Sequence, residues 1–225
     1  MKKLIVSLFT LLALGGGSVS ASAQQAKPGD PVAGQKKVDM CIGCHGIPSY
    51  KASFPEIYQV PKISGQSPEY IVSSLVAYKK GDRKHPSMRS IAVTLTDQDM
   101  ADVAAFYAQN GKAPGDVAPP ETPPAPPADV AALLQKGNCA SCHGSNLSKP
   151  IAGYPKLAGQ HADYLYVALK AYQTTGTDRI GRNNAIMAGM AKLYTPAELK
   201  KLSVYIASLP GELKTVEEPH FRFLP

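Results

Sequence analysis

Cys41-Ile42-Gly43-Cys44-His45 and Cys139-Ala140-Ser141-Cys142-His143 are two C-x-x-C-H runs, and together they use all four cysteines of the chain. Two thiols three residues apart on a helical turn reach the two vinyl groups of one haem and form thioethers. The histidine that follows is then held under the iron as its proximal ligand. One such run alone is also compatible with a redox dithiol. Two of them, each followed by histidine, point to two covalent haem c groups. Cys41, Cys44, Cys139 and Cys142 are the expected attachment points, and His45 and His143 the expected iron ligands.

The rest of the chain repeats around these runs. The segment from Asp30 to Gly111 is echoed from Asp129 to Gly211. Cys41 and Cys139 are 98 residues apart, whereas Pro61-Lys62-Ile63-Ser64-Gly65-Gln66 and Pro155-Lys156-Leu157-Ala158-Gly159-Gln160 are 94 apart. Ile71, Leu75 and Tyr78 are matched by Leu165, Leu169 and Tyr172 at the same offset. Thr96, Met100, Val103 and Tyr107 are matched by Thr195, Leu199, Leu202 and Ile206, 99 apart. The changes of offset read as short loop insertions, and a repeat this long means two copies of one domain.

Each copy reads as helices joined by glycine- and proline-rich loops. Asp30 and Asp129 are the expected caps of a first helix that runs into the C-x-x-C-H motif, with Pro31 in the first turn of the earlier copy. A middle helix is expected from Ser67-Pro68 and from near His161, with one apolar face, stopping before Gly81 and Gly176. A last helix starts at Thr96, with Asp99 three residues on, and at Thr195-Pro196, with Glu198 three residues on. The second fits the capping-box pattern and the first has Asp in place of the usual Glu or Gln. Gly111 and Pro210-Gly211 close these helices. No stretch alternates well enough to predict a strand, so the fold class is all-α: two tandem haem domains.

Residues 113–128 separate the copies and carry seven prolines, a composition that favours extended polyproline II. The expected organisation is a signal peptide over 1–23, a first domain over 24–112, this linker over 113–128, and a second domain over 129–225. The last includes a C-terminal tail with His220, Phe221 and Phe223 and no counterpart in the first copy. The leader is read from Lys2-Lys3, the apolar run Leu4 to Leu14, and Ala21-Ser22-Ala23 as an A-x-A cleavage site. That run is too short for a membrane span, which needs about 20 residues. An exported, periplasmic protein is expected.

The whole sequence holds 24 basic and 17 acidic residues, a formal charge of +7, and without Lys2 and Lys3 of the expected leader 22 − 17 leaves +5. Two haems bring four propionate carboxylates that offset most of this +5, so nucleic-acid binding is not inferred. A zinc site would need two further ligands near each cysteine pair, and no second Cys/His cluster is present.

What fills the second face of each iron decides between electron transfer and chemistry. Met88 lies 43 residues after His45, and Met187 lies 44 after His143. Each is expected in a polar loop, five residues after an arginine (Arg83 or Arg182) and eight before the threonine cap. A methionine at one position in both repeats reads as a ligand. Met190 competes, but its counterpart is Ile91; His85 competes, but its counterpart is Asn184. The carbonyls of Pro61 and Pro155 are the expected acceptors for Nδ1–H of the proximal histidines.

With paired C-x-x-C-H, the P-K-[IL]-x-G-Q loops, and R-x-x-x-x-M before a capped final helix, the chain resembles the dihaem cytochrome c4 family. The resemblance implies two cytochrome c folds and His/Met-ligated irons, His45 with Met88 and His143 with Met187. It further implies a periplasmic electron carrier that serves a terminal oxidase, with a quinol-oxidising complex as donor, possible loose membrane association, and no substrate turnover. The alternatives are the cytochrome subunit of an exported dehydrogenase such as a sulfide-oxidising flavoprotein, a dihaem peroxidase, and a thiol–disulfide oxidoreductase. The two domains are expected to pack, with the linker wrapped over them.

Overall fold

The computed structural model describes residues 27–174 and 177–217. The expected signal peptide, Gly176, and His220, Phe221 and Phe223 of the tail lie outside the described residues.

The first half opens with α1 (Pro31–Gln35), capped by the Asp30 carboxylate, which accepts from the Val32 N–H at 2.8 Å. The chain breaks at residues 36–38 and restarts as α2 (Asp39–His45), so the expected single first helix is two. After a loop come α3 (Pro68–Lys80), α4 (Pro86–Ala92) and α5 (Asp97–Gln109). Pro68 stands at the start of α3, where no N–H is needed. Gly81 ends it at φ 85°, a left-handed conformation that glycine adopts without strain. Thr96 and Asp99 close a full capping box on α5, so Asp serves where Glu was the usual choice.

The second half repeats this order with α6 (Ala128–Lys136), α7 (Ala140–His143), α8 (Ala162–Gln173), α9 (Ala185–Ala191) and α10 (Pro196–Ser208). His161 caps α8 by backbone position, and Thr195 with Glu198 boxes the start of α10. Asp129 does not cap α6. Pro127 takes that position, and Asp129, inside the first turn, pairs instead with Lys201 at 2.6 Å. A strand pair, also unexpected, joins β1 (Lys51–Ala52) to β2 (Tyr58–Gln59) in the first half.

The apolar positions that recur in the sequence are the ones that make the cores. Ile71, Leu75 and Tyr78 of α3 bury against Met100, Val103 and Tyr107 of α5. Leu165 of α8 buries against Leu199, Leu202 and Ile206 of α10. Met100 and Leu199 are counterparts and both wholly buried, so truncating either to alanine costs about 2–5 kcal/mol. Helix α1 crosses α5 closely. A Cβ on Gly34 would stand 2.1 Å from the Asp102 carbonyl oxygen, so only glycine fits there.

The halves pack together through the Pro-Lys-x-x-Gly-Gln loops. The Lys62 N–H donates to Gln160 Oε1 at 3.0 Å, and the Lys156 N–H to Gln66 Oε1 at 2.8 Å. Each glutamine Nε2 returns a bond, Gln66 to the Lys156 carbonyl and Gln160 to the Lys62 carbonyl. Lys62 Nζ donates to the Gly159 carbonyl, and Lys156 Nζ to that of Gly65. Further along, the Lys84 N–H meets the Gly181 carbonyl and the Asn183 N–H meets that of Asp82. Every one of these contacts is matched by its counterpart, so the halves face each other about a local twofold axis.

The linker lies on the second half. Pro119 is buried, Asn146 Nδ2 donates to the Pro120 carbonyl at 3.0 Å, and the Tyr205 hydroxyl donates to the Pro124 carbonyl at 2.8 Å. The described tail returns to the first half, where the Lys214 N–H donates to the Ser64 carbonyl.

Candidate haem-binding site

Helix α2 carries Cys41, Cys44 and His45 on its last turns, and α4 carries Met88. All four line one cavity of about 710 Å³ between α2, α3 and α4 that reaches into the second half. Its walls are largely apolar, with Ile71, Leu75 and Val103 among them. In the second half α7, with Cys139 at its N-cap, carries Cys142 and His143, and α9 carries Met187.

His45 Nδ1 is 2.8 Å from the Pro61 carbonyl oxygen, and His143 Nδ1 is 3.0 Å from that of Pro155. These are the acceptors expected from the sequence. A carbonyl only accepts, so Nδ1 carries the proton and Nε2 keeps its lone pair for a metal. Burial pushes both imidazoles toward the neutral form that a metal needs.

The methionines do not sit in loops. Met88 and Met187 lie at the third positions of α4 and α9, short helices that each present a half-buried methionine. His85 Nδ1 accepts from the Met88 N–H at 3.3 Å, and Asn184 Oδ1 from the Met187 N–H at 2.9 Å. His85 and Asn184 are thus interchangeable caps, which explains a polar residue at this repeat position whose side chain varies. Met190 is 38% exposed on α9.

Burial raises the Cys41 thiol to about 11, and it raises Cys139 as well. A reactive dithiol is favoured by a depressed thiol pKa, the opposite of the direction at Cys41 and Cys139. Among the described residues no group of three His, Cys, Asp or Glu side chains could hold a metal alone.

Sequence reasoning used Arg83 and Arg182 only as landmarks. Arg83 is buried, its Nε has no partner, and neither arginine meets a carboxylate among the described residues. A guanidinium held in such a wall calls for an anion. The apolar cavity, neutral imidazoles with free lone pairs, and cations awaiting a carboxylate together fit a haem with its propionates. The signal in the sequence was the recurrence of arginine five residues before each methionine.

Two helical repeats, each with a C-x-x-C-H turn whose histidine is fixed by a proline carbonyl, define a tandem c-type cytochrome, and the cytochrome c family profile matches residues 31–110 and 127–210. The chain is 36% identical to cytochrome c4 of Thiocapsa roseopersicina, over 83% of this chain and 97% of that one. The reduced recombinant cytochrome c4 structure from Pseudomonas stutzeri superposes with a TM-score of 0.57 at 27% identity, covering 81% of this chain and all of that one. A thiosulfate dehydrogenase electron acceptor of Stutzerimonas stutzeri is 30% identical, over 78% of this chain and 81% of that one. The chain belongs to the cytochrome c4 family. It is an electron-transfer protein with two covalently bound haem c groups and no catalytic turnover of its own.

Proposed function

We propose that this protein is a periplasmic carrier that delivers electrons, one per haem, to a terminal oxidase. Thioethers form at Cys41 and Cys44 in a first domain over 24–112, and at Cys139 and Cys142 in a second over 129–225, joined by the linker 113–128. His45 and Met88 hold one iron, and His143 and Met187 the other. The observation that carries this reading is the pair of histidine Nδ1–carbonyl hydrogen bonds, which leave Nε2 free at both sites. Each bond also fixes the ring plane and makes the imidazole a better donor. Methionine as the opposite ligand raises the potential and leaves no open position for peroxide, which suits donation to an oxidase. An N-terminal leader over 1–23 exports the chain before haem attachment, and the described residues contain no helix long and apolar enough to cross a membrane.

Reduced protein added to oxidase-containing membranes should restore oxygen consumption and become oxidised at a matching rate. Failure to be oxidised would reject the oxidase as acceptor. A second reading, service to an exported sulfur-oxidising enzyme, is favoured by the likeness to the thiosulfate dehydrogenase electron acceptor. It predicts reduction of the oxidised protein by thiosulfate only when such a dehydrogenase is added.

A further inference from the structure

The two halves face each other reciprocally, and at one place the reciprocity fails. Arg83 and Arg182 are counterparts, as are Tyr70 and Tyr164. Strict symmetry would give the two tyrosine hydroxyls the same set of arginine bonds. Instead the Tyr164 hydroxyl accepts from Arg83 Nη2 at 2.6 Å and from Arg182 Nη2 at 3.1 Å. Among the described residues the Tyr70 hydroxyl accepts only from Arg83 Nη1, at 3.3 Å.

The β1–β2 hairpin accounts for the difference. The first half has four more residues than the second between its C-x-x-C-H and its Pro-Lys loop, and the hairpin lies in that stretch. It crosses to α8, where the Gln59 N–H donates to Asp163 Oδ2 at 2.8 Å and Glu56 pairs with Lys170. Tyr58 packs on the Tyr164 ring with centroids 6.1 Å apart. Asp163 Oδ1 in turn accepts from the Tyr164 N–H. The start of α8, and Tyr164 with it, is held by a strap from the other half.

A guanidinium can only donate, so the Tyr164 oxygen accepts both bonds and its own proton is left for a third group. Tyr164, Arg83 and Arg182 all line the cavity that holds Cys41, His45 and Met88.

We propose that Tyr164 is a positioning residue shared by the two haem sites, orienting the guanidinium of Arg83 and that of its repeat counterpart Arg182 toward the haem propionates. The electrostatic surroundings of the first haem then depend on a side chain of the second half, and the two haems are inequivalent by construction. This rests on the His/Met assignment above, whose failure shows separately as absent methionine–iron charge-transfer bands.

The test is Tyr164→Phe in the holoprotein, which keeps the ring and removes the hydroxyl. Hyperfine-shifted haem-methyl resonances of the ferric protein report each haem separately, and a potentiometric titration gives both midpoints. Both sets of resonances and both midpoints should shift, whereas Tyr70→Phe should shift those of the first haem alone. Changes confined to the second haem after Tyr164→Phe, or an equal effect on both haems from Tyr70→Phe, would overturn the proposal. Arg83→Lys keeps the charge but loses the bond to Tyr164, so it should shift the second haem across the seam. If Tyr164→Phe yields no dihaem protein, Arg83→Lys decides, and unchanged second-haem resonances then reject the idea.

Discussion

In the proposed ligation Met88 and Met187 each serve one half, so they are removable one at a time. Met88→Ala and Met187→Ala should each abolish one methionine–iron charge-transfer band and lower that haem's midpoint potential, since a thioether ligand favours the ferrous ion. Met190→Ala should leave both bands intact. Loss of a band in Met190→Ala with retention in Met187→Ala would move the ligand by one turn of α9. At the cap beneath, Asn184→Ala removes the acceptor of the Met187 N–H. It should cost about 0.5–2 kcal/mol in chemical denaturation, and the second haem's band should weaken before the first as denaturant rises.

Between elements, the clamp of α1 on α5 is the acid-sensitive part of the first half. Lys37 Nζ lies 2.6 Å from Asp99 Oδ1 and 2.7 Å from Asp102 Oδ2, and Asp102 also accepts from the Asp30 N–H. The Lys37 ammonium, with the Thr96 hydroxyl and N–H, holds Asp99 down at about 2, and the Asp30 N–H with Lys37 lowers Asp102. A carboxylate depressed in the folded state stabilises above its unfolded pKa, and that contribution is lost as pH falls through the folded value. The first half should therefore lose stability from about pH 4 to pH 2, and Lys37→Met should flatten this slope when unfolding is followed at each pH. In the second half the corresponding pair, Lys136 and Glu198, is looser at 3.9 Å, and Asp129 pairs with Lys201 on the surface.

Helices α3, α5, α8 and α10 were legible because each spans twelve or thirteen residues, long enough for an apolar face to recur and for caps to mark the ends. The short helices α4 and α9, seven residues each, were read as loops. Pro86, Ser87, Arg89 and Ser90 make no periodic face, and the helix is imposed by the cap and the packing of Met88 and Ala92. Strands of two residues leave no alternation to see. Asp129 was read as a cap by analogy with Asp30, but α6 begins two residues earlier and the last proline of the linker takes the cap. The candidate ligands were legible from spacing within each copy. The arginine–tyrosine cluster was not, because it is made by residues of different copies that share no periodicity.

At the scale of the whole molecule the linker joins a pair that is already held together by its own seam. Cleavage at a protease site engineered near Val117, which is 92% exposed, should leave both halves co-eluting on a sizing column as one dihaem particle. Adding Gln66→Ala and Gln160→Ala removes four of the seam's hydrogen bonds. The cleaved double variant should separate into two monohaem proteins, while the uncleaved one stays whole. Separation of the cleaved parent would mean that the linker alone holds the halves. Haem-free chain should show no cooperative melting, because halves this short cannot fill their centres without the cofactor.

The reciprocal bonds of the Pro-Lys-x-x-Gly-Gln loops have a further consequence. One motif that binds its own copy is an isologous contact, the kind two identical subunits make about a dyad. Here both partners are written into one polypeptide, and a tether at millimolar effective concentration replaces encounter between separate molecules. A chain arranged this way stays paired at any dilution, and it is free to let its two members diverge. The hairpin across the seam, present on one side only, is such a divergence, and it gives an otherwise twofold object a front and a back.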